Sequence, residues 1–133
     1  MSILTIRRIL ERRLNTIPTP LQTAYENTKT SQSPPYQRVF LFPSATNNAG
    51  ISSHAHSREI GFMQVSLFYP AGGGTRDASL QAERIRDQFP AGHTEIEDGL
   101  QLVITKKPHI SSAATVDGLL MLPVSIYYEA TEL

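Results

Sequence analysis

Apolar and polar positions along the chain change period several times, and each change marks an element. Ile3, Ile6, Leu10 and Leu14 recur at helical spacing, so they share one face of a first helix reaching about Asn15. Ser2 or Thr5 is placed to cap it, and Pro18 and Pro20 prevent its continuation. Arg8, Glu11 and Arg12 point away from that face, with Arg7 and Arg13 on its flanks. Ala24–Asn27 reads as a short strand, and Tyr36–Phe42, rich in aromatic and branched residues, as a longer one. Val65, Leu67 and Tyr69 alternate with Ser66 and Phe68, the period of two that marks a strand. Pro70 and Gly72-Gly73-Gly74 then turn the chain. Ala78, Ala82, Ile85 and Phe89 return to helical spacing behind a cap at Thr75 or Asp77, until Pro90-Ala91-Gly92 ends the second helix.

Thr94–Glu97 and Leu100–Lys107 flank Asp98-Gly99, a hairpin signal. His109–Asp117 is a polar connection, and Leu119–Glu129 a final strand. The least periodic stretch, SATNNAGISSHAHS at 44–57, reads as a long mobile loop between two strands; loops of that length are functional or disordered. Together these elements predict an α+β domain: a mainly antiparallel sheet, joined by hairpin-type links, with two principal helices packed on it.

Composition narrows the reading. The chain has 133 residues, the size of a single domain with a real core. Twelve basic residues balance twelve acidic ones, which speaks against a protein built to coat nucleic acid. The absence of cysteine excludes disulfides and thiolate metal sites. Arg7 and Arg8 interrupt any apolar leader at the N-terminus, and no apolar run approaches the roughly 18 residues of a membrane span.

Candidate chemistry is sparse. His54 and His56, with Glu59 nearby, supply too few ligands in sequence for a zinc site. Gly72-Gly73-Gly74-Thr75 ahead of a helix resembles a phosphate cradle, but the lysine of a P-loop is missing and Arg76 follows instead; a tight strand-to-helix turn is the simpler reading. Glu95, Glu97 and Asp98 read as solvated turn charges. No cofactor is expected. The residues that invite a functional reading are those suited to contacts between proteins. Arg7, Arg8, Arg12 and Arg13 stud the first helix, and arginine suits interfaces because its planar fork bonds bidentately and stacks on rings. Reversing Arg8 and Arg12 is expected to leave folding nearly intact. Leu80 faces outward on the second helix among Arg76, Glu83 and Arg84. Asn47, Asn48, Ile51, His54 and His56 stud the expected loop. All are candidates for a subunit or partner interface.

The ordered set of motifs resembles one family: a short basic helix (IRRILERRLN, Ile6–Asn15), PYQRVFLFP at Pro35–Pro43, QVSLFYPAGGG at Gln64–Gly74, AERIRDQFPAG at Ala82–Gly92, and LPVSI followed by aromatics at Leu122–Tyr128. In this order they resemble the tail terminators of long-tailed bacteriophages, related to the minor tail protein U group. The resemblance implies a non-enzymatic virion protein that forms a ring, typically a hexamer, on the head-proximal end of the tail tube. Its implied partners are further copies of itself, the tube protein and the head–tail connector, with DNA passing through the lumen without sequence-specific binding. A head-completion or connector ring is the neighbouring alternative. A small phosphate-binding enzyme using the Gly72–Gly74 turn is the alternative of a different class.

Overall fold

The computed structural model describes residues 2–28, 33–48 and 57–133. Among these residues two helices and eight strands follow in the order α1 (Ile3–Leu14), β1 (Gln22–Ala24), β2 (Tyr36–Asn48), β3 (Ser57–Pro70), α2 (Arg76–Gln88), β4 (Thr94–Glu97), β5 (Leu100–Ile104), β6 (His109–Ile110), β7 (Ala114–Val116) and β8 (Leu119–Glu132). They form the α+β architecture expected from the sequence. The sheet runs β1-β2-β3-β8-β5-β4. Its pairs are antiparallel except β1 on β2, which is parallel. Strand β8 is the spine: β3 lies along one edge, while β7, β6 and β5 share the other edge in turn.

The first helix is capped as its sequence suggests, since the Leu4 N–H donates to Ser2 Oγ. Its buried face differs by a rotation. Ile6, Ile9, Leu10 and Leu14 are sealed, whereas Ile3 is exposed. Ile3 stands in the first turn of the helix, outside the buried stripe. In α2, Ala78, Gln81, Ala82 and Ile85 face the core. Thr75 holds the N-cap position without a side-chain bond, and Asp77 supplies the negative charge the first turn favours.

The layer between helices and sheet is aliphatic: Val39, Leu41, Met63, Val65, Leu67, Val124 and Ile126 meet the two helices, closed by Phe89 and Tyr128. The strands are longer than their sequence pattern predicts. Part of the stretch expected as a loop at 44–57 is ladder instead: Ala45 pairs with Ile60, Thr46 with Glu59, Asn47 with Arg58 and Asn48 with Ser57. Residues 49–56 lie outside the described residues. The polar connection at His109–Asp117 likewise holds β6 and β7, whose backbone groups are satisfied by β8. Two Asp-Gly hairpin turns carry positive φ at both central positions, Asp98-Gly99 and Asp117-Gly118, the conformation that makes Asp-Gly the favoured pair there. Only the first was legible beforehand, because β7 is too short and polar to signal a strand.

Candidate functional site

The α1 arginines are held within the molecule. Arg8 donates through Nε to Glu97 Oε2 at 2.8 Å and pairs with Asp98. Arg12 reaches Glu97 Oε1 at 2.8 Å and Glu95 at 3.9 Å. Glu95, Glu97 and Asp98 are therefore not merely solvated turn charges; they tie the β4–β5 hairpin to α1. The hydrogen bonds from Arg8, then Arg12, hold the Glu97 carboxyl below the usual carboxylate range, and Arg8 is raised in return. Arg8 and Arg12 remain 51% and 50% exposed, so each offers an outer side while its inner side is engaged. Reversing both would therefore also set like charges against Glu97 and its neighbours, so the expectation that folding is left nearly intact becomes a question for measurement.

Arg7 lies 3.7 Å from Glu11 and 3.6 Å from Glu26. Burial, opposed by Arg7 and reinforced by Glu26, pushes the Glu11 carboxyl up. Glu26 also accepts from the Leu41 N–H, covering the β2 edge beyond the end of β1. Arg13 is half-buried and engaged within the molecule. Its Nε donates to the Gln88 carbonyl at 2.6 Å, and its guanidinium stands 6.0 Å from the Phe89 ring centre. Gln88 answers by donating to the Arg13 carbonyl at 2.9 Å and to Thr16 Oγ1 at 2.8 Å.

On α2 the structure does bring two candidates together. Leu80, 37% exposed, and Arg84 line an open depression of about 250 Å³ with Thr19, Tyr69, Asp77 and Gln81. Arg84 donates to Gln81 Oε1 at 3.0 Å, and burial, then Asp77, pushes the Tyr69 phenol up against the opposing pull of Arg84. Arg76 is exposed at the start of the helix. The Gly72–Gly74 turn is open to solvent, and the Asp77 carboxylate in the first turn opposes an anion there. Asn47 and Asn48 lie in the backbone ladder of β2; Ile51, His54 and His56 lie outside the described residues. Among the described residues, no group of three or more His, Asp or Glu could hold a metal ion.

The feature that sequence reasoning missed is the second face of the sheet, which neither helix nor any other element covers among the described residues. Tyr36 stacks on Phe68 at 4.9 Å, and Phe42 on Phe62 at 4.9 Å. Phe62 meets Tyr127 at 5.7 Å, and Lys106 Nζ stands 4.0 Å over the Tyr127 ring. Phe42, Phe62 and Tyr127 are cross-strand neighbours, so their rings form one row across β2, β3 and β8. The row ends in an open depression of about 400 Å³ lined by Lys106, Lys107, Pro108, His109 and Tyr127. A signal existed in VFLF at 39–42: aliphatic residues occupy one parity and aromatic residues the other, so both faces of the strand are apolar.

Residues 5–128 match the family described as phage tail terminator protein. The chain belongs to the phage tail terminator protein family. A solved structure with 27% sequence identity superposes with a TM-score of 0.77 over 98% of this chain and 96% of that chain. Among curated proteins, none matches by sequence. As a member of a structural family, this terminator-family chain is a phage tail component. Its useful surfaces are contact surfaces, and among the described residues the aromatic sheet face and the outer side of α2 are two that no other element covers.

Proposed function

We propose that this chain caps the head-proximal end of the tail tube as a ring of copies, six by family resemblance, stopping tube polymerisation and presenting the surface to which the head-side connector joins. The mechanism is binding: one face copies the contact the next tube ring would make, and the opposite face no longer offers it. The observation that carries the reading is the family match across 5–128. The one-sided helix layer supports it, because a two-layer domain with an aromatic second face is built to be covered. The partners are further copies of the chain, the tube protein and the connector, with DNA passing through the lumen without sequence-specific contacts.

The test is tube length. Tube protein polymerised with the purified chain should give capped tubes, seen by electron microscopy as a terminal ring and by growth that stops when fresh tube protein is added. Tubes that keep elongating at both ends in excess of the chain would refute the reading.

A further inference from the structure

Two surfaces of this chain complement each other. The aromatic sheet face is positively charged at one end: Lys106 and Lys107 have no carboxylate within salt-bridge distance among the described residues, and the face's own Glu129 is taken by Arg58 at 3.4 Å. Phe42 leaves the aromatic row 42% exposed at the opposite, β2 end. On the other layer, Leu80, Glu83 and Asp87 stand on the side of α2 turned away from the buried Ala78, Ala82 and Ile85. Glu83 and Asp87 are one turn apart, exposed, and without an ion pair among the described residues. Of the outward arginines, Arg84 is drawn aside to Gln81, and exposed Arg76 stands two turns before Glu83 at the start of the helix, so the carboxylates occupy the C-terminal half of the ridge.

We propose that the α2 ridge of one copy seats on the sheet face of the next, with Leu80 against the aromatic row and Glu83 and Asp87 against Lys106 and Lys107. The fit rests on charge and shape together. An aromatic surface excludes water around an aliphatic anchor, and the lysines at its end select a partner with carboxylates one turn along. The balanced total charge of the chain leaves no long-range repulsion between copies. The two surfaces are unlike and belong to different layers, so the contact is heterologous and each copy keeps a free surface for the next one. A lone two-fold dimer does not satisfy it. This inference deepens the ring reading above and rests on it for its biological setting, but it stands or falls by a different measurement.

Charge exchange tests it. Lys106→Glu with Lys107→Glu, and separately Glu83→Lys with Asp87→Lys, should each weaken self-association at least about tenfold, because like charges then face each other. A mixture of the two variants should associate again, and so should a chain carrying all four changes. Sedimentation across a concentration series, alone and on tube ends, gives the readout. A second route does not depend on the charged variants folding. The chain has no cysteine, so Leu80→Cys copies mixed with Phe42→Cys copies should form an intermolecular cross-link with a short bismaleimide, whereas Leu80→Cys alone should not. Self-association that ignores both charge reversals, or cross-links between two Leu80→Cys copies only, overturns the contact. If the reversed variants still cap tubes, the contact fails while the terminator reading stands. If the wild-type chain associates through these surfaces but never halts tube growth, the contact stands and the terminator reading fails.

Discussion

The Tyr128 hydroxyl lies 2.7 Å from the point where a β-carbon on Gly61 would stand. The Phe42 carbonyl is 2.6 Å from the same point and the Pro43 α-carbon 3.0 Å. Gly61 sits where β2 shifts register between Pro43 and Ala45, so the phenol of the spine strand fills space that only glycine leaves.

Gly61→Ala should therefore destabilise the fold by about 1–3 kcal/mol, the usual cost of forcing a group into a packed core. Two of the three opposing atoms are backbone, so shortening the tyrosine in a Gly61→Ala, Tyr128→Phe double variant should recover only part of the loss. Urea denaturation of the single and double variants gives the comparison, and full recovery would show that the phenol alone sets the constraint.

Tyr128→Phe by itself should be neutral or stabilising. The hydroxyl is buried and has no hydrogen-bond partner among the described residues, and removing an unsatisfied buried group relieves its desolvation cost. Burial, reinforced by Glu59 and opposed by Arg7, pushes the phenol from 10.0 to about 12. The folded chain thus keeps a proton that the unfolded chain releases first. The stability due to that proton is present below pH 10.0 and is lost as pH rises through about 12. Denaturation midpoints measured across this range should fall less steeply in Tyr128→Phe than in the wild type.

The Arg8–Glu97–Arg12 network makes the opposite prediction in acid. Hydrogen bonds from the two arginines lower the Glu97 carboxyl from its ordinary 4.5, so the stability it provides is present above 4.5 and disappears as pH falls through the lowered value. Arg8→Glu with Arg12→Glu should lower the melting temperature at neutral pH, and molar salt should narrow the difference from wild type because the charges are solvent-exposed. An unchanged melting temperature would mean that α1 is held by its apolar face alone.

Gln88→Ala should cost about 0.5–1.5 kcal/mol, because it removes the donor that the Arg13 carbonyl and Thr16 Oγ1 share across the helix–helix seam, although Thr16 N and Oγ1 still donate to the Arg13 carbonyl. The backbone acceptor for Arg13 survives the change, so the loss should fall mainly on the helix–helix seam. Faster amide exchange in the last turn of α1, with the β3–β8 ladder unchanged, is the expected signature.

The two helices, the strand cores and the Asp98-Gly99 hairpin were legible because each rests on local chemistry: a period, a cap, a turn residue or a proline stop. Leu80 was legible for the same reason, as the apolar residue on the wrong side of a helix whose other face is already filled. The full lengths of β2, β3 and β8 were not. The outer ends of these strands are polar, and what makes them strand is a neighbour's backbone, a pairing between residues far apart in sequence.

Sequence alone thus determined the fold class, the family and the absence of thiol chemistry. The tertiary structure decided where the charges go. Arg8 and Arg12 meet Glu97 across 80 and more residues, which turned two candidate contact residues into part of the fold. It also decided which surface is left open: the aromatic parity of β2, β3 and β8 becomes one continuous row only when three strands come into register. Periodicity reports which side of an element is apolar. Only packing determines which apolar side is covered.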